Sequence, residues 1–222
     1  NYAGSGNFLA FSEIRYAGRA IEANNSSPYI LGNYIHDNAP NGNSSVYLYY
    51  SHSIVKKNII ENNSDRGLYG YSDGTSSGIQ ILENIIRNNS TSSSGAGIYL
   101  SGSYNSVINN IIRNNSSSSY GGGMYLSGYY NSIMNNIIDS NVAGSYGGGI
   151  YAYSSSYYEY TGNRIIENSA KDAGGIYIYY ASSSSLESNS ITGNQCTASS
   201  CGSAITLQSS QNVSLIRNNI AL

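Results

Sequence analysis

A repeat of about 26 residues predicts that this 222-residue chain folds as an all-β solenoid. The pattern Asn-x-Ile-x-x-Asn begins at residues 33, 58, 84, 110, 136, 163 and 189, and starts again at Asn218. A second pattern recurs with the same period. It is a small residue followed by a strand in which inward and outward side chains alternate, as in Gly97-Ile98-Tyr99-Leu100. An apolar or aromatic residue also lies three positions before each repeat Asn. Each period therefore holds three short β segments separated by turns, and none is long enough for a helix.

Stacking of the coils follows from their small size. One coil cannot bury its own apolar face, but coils stacked about 4.8 Å apart place Ile on Ile and Leu on Leu. The sequence predicts one domain over residues 1–222, with about eight coils and three short strands in each. Residues 1–12 are a candidate partial N-terminal cap, and the repeat phase continues to the C-terminus.

The repeat asparagines are interpreted as structural. An Asn at a sharp corner tolerates the left-handed conformation, and its amide can bond the Asn amides of the coils above and below. An amide does not ionise and so serves poorly as an acid or base. Two ladders are predicted. The first comprises Asn33, Asn58, Asn84, Asn110, Asn136, Asn163, Asn189 and Asn218, and the second Asn38, Asn63, Asn89, Asn115, Asn141, Asn168 and Asn194.

These columns, together with Phe11-Ser-Glu-Ile-Arg-Tyr-Ala-Gly18, resemble the repeats of right-handed parallel β-helices of the pectate-lyase-like superfold. The resemblance is to the repeat-bearing surface and carbohydrate-associated members, and it spans residues 11 to 220. It implies a single-stranded, right-handed parallel β-helix. It implies no activity, because this superfold hosts lyases, hydrolases, adhesins, spikes and structural proteins.

Composition excludes several classes of protein. Only 10% of the residues are charged and the net charge is −2, which argues against a nucleic-acid binder. No apolar run approaches the roughly 18 residues that a membrane span needs. The chain starts at Asn1 without Met or a recognisable leader, so it is expected to be either a processed chain or a piece of a longer one.

The two cysteines, Cys196 and Cys201, lie in one expanded turn. They are too few for a zinc site, and a local disulfide is the favoured interpretation, with free thiols as the alternative. A disulfide favours an extracellular or cell-surface location.

No catalytic, cofactor or metal site is predicted, because the twelve acidic residues are nowhere adjacent or alternate. When equivalent positions of successive repeats are aligned, Glu61 should lie beside Arg87, and Arg113 beside Asp139. These are expected to be charge pairs on a solvated face. The two histidines, His36 and His52, are expected in exposed loops.

Tyrosine is the one abundant residue with functional potential. Alternation turns a column of tyrosines outward, and this column either stacks on itself as structure or forms a contact face for another protein or for sugar rings. The predicted contact face comprises Tyr47, Tyr99, Tyr125, Tyr151, Tyr153, Tyr177 and Tyr179, with Tyr69 as an extension. Outward asparagines in glycosylation motifs form a further candidate column at Asn62, Asn88 and Asn114.

The sequence therefore predicts a non-enzymatic extracellular or cell-surface protein with a structural or adhesive role. Self-association, head to tail into a filament or laterally, is the predicted partnership, with no membrane span. The first alternative is a carbohydrate-binding or polysaccharide-cleaving domain, with polysaccharide as the partner. The second is a passive stalk module of a larger adhesin or phage fibre.

Overall fold

A computed structural model describes residues 6–38, 44–74, 77–199, 201–202 and 204–221. This part of the chain contains 31 β-strands and no α-helix. The strands form four sheets in which all pairing is parallel and each strand pairs with the equivalent strand of the next coil. The chain is therefore a β-solenoid, as predicted.

Sheets A and B contain nine strands each. The strands of sheet A are Phe8–Ala10, Tyr29–Leu31, Ile54–Lys56, Gln80–Leu82, Ser106–Ile108, Ser132–Met134, Glu159–Thr161, Ser185–Glu187 and Ser214–Ile216. Those of sheet B are Glu13–Arg15, Tyr34–His36, Ile59–Glu61, Ile85–Arg87, Ile111–Arg113, Ile137–Asp139, Arg164–Ile166, Ser190–Thr192 and Asn219–Ala221.

Sheet C contains eight strands and sheet D five. The strands of sheet C are Ile21–Asn24, Ser44–Tyr49, Arg66–Tyr71, Ile98–Ser101, Met124–Tyr129, Ile150–Ser156, Ile176–Tyr179 and Ile205–Gln208. Those of sheet D are Ser90–Thr91, Ser116–Ser117, Val142–Ala143, Ser169–Ala170 and Gln195–Cys196. Sheet D was not predicted. It forms because the Ser- and Gly-rich loops of successive coils stack in register and exchange backbone hydrogen bonds.

The coils are close to the predicted number and length. Successive strands of sheet A begin 25 to 29 residues apart in seven turns, and a first turn of 21 residues separates Phe8 from Tyr29. The strand Phe8–Ala10 pairs with Tyr29–Leu31, so this part of the candidate cap is a strand of sheet A. Residues 1–5 of that candidate cap lie outside the described residues.

The core is a set of apolar columns inside the coils. In sheet A the column reads Ile30, Val55, Ile81, Val107 and Ile133, all fully buried, and each residue registers with its neighbour in the next coil. Sheets B and C contribute equivalent columns to the same cluster. Burial of each such side chain stabilises the fold by about 1.5–3 kcal/mol, so the stack provides the apolar burial that no single coil provides.

Both asparagine ladders are confirmed. In each ladder the side-chain amide Nδ2 donates to Oδ1 of the Asn one coil further on, at 2.8 to 3.0 Å. The same Oδ1 also accepts the backbone N–H of the preceding ladder Asn, as Asn110 does from Asn84 at 2.8 Å. The ladders thus satisfy buried polar groups at two corners of nearly every coil.

The prediction that the ladder asparagines adopt the left-handed conformation is wrong. Positive φ occurs at the residue before the ladder Asn, for example Glu83 (57°), Asn109 (58°) and Asn114 (54°). The corner residue points outward and makes the turn, while the ladder Asn points inward to bond its neighbours. The left-handed turn and the ladder hydrogen bonds are therefore provided by two adjacent residues.

The glycine column ahead of sheet C is explained by close backbone approach. A Cβ at Gly123 would lie 2.6 Å from the carbonyl oxygen of Gly149, and one at Gly97 would lie 2.6 Å from that of Gly123. Side chains do not fit at this distance, so glycine lets the coils stack at strand spacing here.

Replacing a central ladder residue should destabilise the solenoid. Asn110→Ala removes the acceptor of the Asn84 backbone N–H and the amide that donates to Ile81 and Asn136. Because these groups are buried, we expect the free energy of unfolding in urea to fall by about 3 kcal/mol.

The matched control is Asn109→Gly, next to the ladder. Asn109 is exposed and has φ of 58°, which glycine adopts readily. This variant should stay within about 0.5 kcal/mol of the parent. Equal losses in the two variants would contradict a specific role for the ladder.

Candidate functional site

The outer face of sheet C carries a stacked column of six tyrosines, here called the inner tyrosine ladder. Successive ring centroids lie 4.9, 5.1, 4.5, 5.4 and 5.6 Å apart, and their planes are within 26° of parallel. Its members are Tyr47, Tyr69, Tyr99, Tyr125, Tyr151 and Tyr177. The outward column is therefore confirmed, together with its extension through Tyr69.

Stacking makes the inner tyrosine ladder a poor contact face. Rings stacked along the solenoid axis cover each other's faces and leave mainly edges to solvent. Tyr151 and Tyr177 are only 5% and 4% exposed, because Tyr120 and Tyr146 from the preceding loops stack over them at 4.8 and 4.7 Å. The prediction that Tyr151 and Tyr177 contribute to an exposed face is wrong, since the loops fold back over them.

A second outward column on sheet C is interrupted. Tyr49 stacks on Tyr71 at 5.3 Å, and three coils after Tyr71, Tyr153 faces Tyr179 at 5.9 Å. Between these pairs the column holds Ser101 and Ser127. The Ser127 hydroxyl donates to Ser101 Oγ at 2.9 Å. We call this interruption the serine gap. It spans Tyr71, Ser101, Ser127 and Tyr153.

A third aromatic column, the turn tyrosine ladder, follows sheet C at the next corner. It comprises Tyr104, Tyr130 and Tyr157, whose rings stack at 5.3 and 4.7 Å and are 41%, 48% and 48% exposed. All three adopt positive φ, between 57° and 61°. The same conformation recurs at other corners of the repeat, for example at Glu83 and Asn109, so it belongs to the turn. This column was not predicted, although its signal, Tyr-Asn-Ser at 104 and again at 130, is visible in the sequence.

The phenols of the inner tyrosine ladder are uncharged. Burial, followed by the neighbouring phenols, raises the pKa of Tyr69 to about 12 and raises those of Tyr125 and Tyr151 further. These phenols therefore stay protonated at neutral pH. The Arg66 guanidinium lies 5.1 Å from the Tyr99 ring centroid and donates to the Ser94 carbonyl oxygen and the Ser93 hydroxyl, so it places a positive charge beside this ladder.

A polar cluster on the outer face of sheet B corrects the expectation for His36. This residue is buried in the strand Tyr34–His36, not exposed in a loop. Its Nδ1 lies 2.7 Å from Asp37 Oδ2 and its Nε2 lies 3.1 Å from Glu13 Oε1. Burial lowers the pKa of His36, but hydrogen bonds to Asp37 and Glu13 outweigh it and the pKa is raised. His52 is partly buried and lies 3.4 Å from Asp73, so it too departs from the expectation of an exposed loop histidine.

The predicted charge pairs have different outcomes. Glu61 forms an ion pair with Arg87 and also accepts the Tyr34 hydroxyl at 2.6 Å. Arg113 registers opposite Asp139. Within the described residues no ion pair joins these two, and Asp139 accepts the Ser140 hydroxyl at 2.8 Å.

The remaining candidate residues are placed as follows. Cys196 and Cys201 form a disulfide with Cα atoms 6.2 Å apart, as predicted. Asn62, Asn88 and Asn114 are exposed at left-handed corners, and Asn88 Nδ2 donates to Asn62 Oδ1 at 3.1 Å.

No group of His, Cys, Asp or Glu in the described residues is arranged to hold a metal ion. Nor does the described chain contain a helix of the length and apolarity that crosses a membrane.

Comparison with known proteins agrees with this geometry. The family model of the right-handed β-helix region matches residues 2–138 and 85–221, so the chain belongs to the right-handed β-helix family. A similar solved structure is the crystal structure of the periplasmic alginate epimerase AlgG, with a TM-score of 0.62 and 18% sequence identity. The match covers 97% of this chain and 50% of that one, so this chain spans about half its length. No curated protein matches significantly.

The His36 cluster predicts a pH-dependent stability. Its folded-state pKa lies above the ordinary value of 6.5, so its stabilisation is complete below that value and is lost as the pH rises through the folded-state pKa. The melting temperature of the parent relative to His36→Gln should therefore fall across this window. The control is Asp73→Asn, which changes the partner of the other histidine, His52. A parent–variant difference independent of pH would contradict the assignment.

Proposed function

We propose that the protein is an extracellular or cell-surface adhesive β-helix that binds polysaccharide through the outer face of sheet C and the tyrosine-bearing corner that follows it. The observation that carries this proposal is the exposed aromatic surface of that face, above all the turn tyrosine ladder. A pyranose presents a flat face of C–H groups and a rim of hydroxyls. Tyrosine matches both, because its ring is apolar and its tip is polar.

The exposure of the turn tyrosine ladder supports a binding role. The rings of Tyr104, Tyr130 and Tyr157 are about half exposed although they stack on one another. Exposed aromatic patches of this kind mark interaction sites. The Cys196–Cys201 disulfide fits an oxidising location outside the cytoplasm. The likeness to a periplasmic carbohydrate-active protein fits the same setting but carries the fold alone.

The proposed protein binds polysaccharide and does not cleave it. The carboxylates of the polar cluster are engaged: Glu61 with Arg87 and Tyr34, and Asp37 with His36. A glycoside hydrolase needs two carboxylates that flank a sugar, with one free to donate a proton. The absence of an enzymatic activity stays a prediction from the sequence.

Other predictions remain open alongside this one. Head-to-tail or lateral self-association, a stalk role within a larger adhesin or fibre, and glycans on Asn62, Asn88 and Asn114 each stay a prediction. The single domain over residues 1–222 also stays a prediction.

Removal of exposed turn tyrosines should weaken binding. On an array of polysaccharides, the parent protein should bind at least one polysaccharide. The double variant Tyr104→Ala with Tyr130→Ala should bind that polysaccharide about tenfold more weakly. The control is Tyr16→Ala, which removes an exposed ring at positive φ in the first coil, away from sheet C. Failure of the parent to bind any polysaccharide would contradict the proposed function.

A further inference from the structure

The serine gap leaves two tyrosine ring faces on sheet C without a stacked ring between them. Tyr71 registers with Ser101, and Ser127 registers with Tyr153. On its other side Tyr71 stacks on Tyr49, and Tyr153 faces Tyr179. Among the described residues, no aromatic ring stacks on the sides of Tyr71 and Tyr153 that face the gap. Within this column, the gap is the place where two ring faces, those of Tyr71 and Tyr153, look toward each other across serines.

The size of the serine gap follows from the coil spacing. Tyr71 and Tyr153 are three coils apart, which separates their rings by roughly 14 Å at about 4.8 Å per coil. Two rings are missing from the stack, so two flat layers of about ring thickness fit between the walls. Ser101 and Ser127 occupy the floor, and both are partly exposed.

The floor of the gap supplies hydroxyl groups that can bond a ligand. Ser127 Oγ donates its hydrogen to Ser101 Oγ, which leaves the Ser101 hydroxyl hydrogen and several lone pairs for another partner. Adjacent walls come from the inner tyrosine ladder at Tyr99 and Tyr125, two residues earlier on each strand. Their phenol tips add further donors and acceptors. The gap thus combines two flat apolar walls with a polar floor.

The four residues that define the serine gap carry no charge. Arg66, over Tyr99, keeps its positive charge, because its acceptors, the Ser94 carbonyl oxygen and the Ser93 hydroxyl, are neutral. Asp73, which follows Tyr71 by two residues, pairs with His52. The walls and floor themselves offer ring faces and hydroxyls, which match an uncharged sugar ring. The chemistry of the gap favours an uncharged ligand.

We infer that the serine gap is the saccharide subsite of this protein and that it takes neutral pyranose residues, stacked between Tyr71 and Tyr153 and bonded to Ser101 and Ser127. This inference rests on the proposed function and deepens it. Polysaccharide binding on the tyrosine face is then localised at a break in the repeat.

The decisive variant is Ser127→Tyr, which fills the gap. Tyrosine occupies the equivalent position in four other coils, at Tyr49, Tyr71, Tyr153 and Tyr179, so the fold accepts it there. Isothermal titration would use neutral glucan, galactan and mannan oligosaccharides, and uronate oligosaccharides of equal length. We expect the parent to bind a neutral oligosaccharide and Ser127→Tyr to lose that binding, with an unchanged melting temperature.

Two further variants make the result specific. Tyr153→Ala removes one stacking wall and should weaken binding about tenfold. Ser132→Tyr adds a ring on the outer face of sheet A, in the next strand of the same coil, and should bind as the parent does.

The outcomes separate the two proposals. If the parent binds an oligosaccharide and Ser127→Tyr binds it equally well, the subsite is wrong and the turn tyrosine ladder remains the binding surface. Preference of the parent for uronate oligosaccharides would overturn the assignment of an uncharged ligand. If the parent binds none of the oligosaccharides and no polysaccharide on the array, both the subsite and the proposed function fail.

Discussion

Hydrogen bonds between buried asparagine amides fix the register on which the rest of this solenoid depends. Each ladder Asn donates to the next coil, accepts from the previous one and satisfies a backbone N–H at the corner. A coil that slipped by one residue would lose these bonds and would turn its apolar column to solvent. The ladders thus make every coil an in-register copy of its neighbour, and the apolar columns supply the burial that holds the stack together.

In-register stacking has a consequence for function. Identical side chains on successive coils lie about 4.8 Å apart, a spacing at which tyrosine rings cover each other. The regular part of the tyrosine surface therefore stabilises the fold and leaves few ring faces for a ligand. Open faces occur where the repeat changes, as at Ser101 and Ser127 between Tyr71 and Tyr153. The same repeat that makes the scaffold rigid holds these walls at a defined separation.

Much of the architecture could be predicted because the repeat encodes it directly. The spacing of Asn84, Asn110 and Asn136 indicated the coil length, and alternation at Ile98 and Tyr99 indicated which side chains point inward. The disulfide was predicted from two cysteines in one turn. These features depend on local pattern and on contacts between equivalent positions, which a sequence displays by its period.

Features that arise between unlike positions were missed. The burial of Tyr151 and Tyr177 depends on loops that fold back over sheet C, and no period in the sequence encodes that fold-back. The burial of His36 likewise depends on Glu13 in the preceding coil, where the first turn is shorter than the others. Sheet D escaped prediction because backbone bonding between loops of Ser and Gly leaves little side-chain pattern.

A crystal structure of the protein soaked with a neutral oligosaccharide that it binds would test the central claim most directly. The account predicts pyranose rings stacked on Tyr71 and Tyr153 inside the serine gap, with hydroxyls bonded to Ser101 and Ser127. The coil register should stay unchanged, because the asparagine ladders fix it before binding. A saccharide bound on the outer face of sheet A or sheet B, with the serine gap empty, would contradict it.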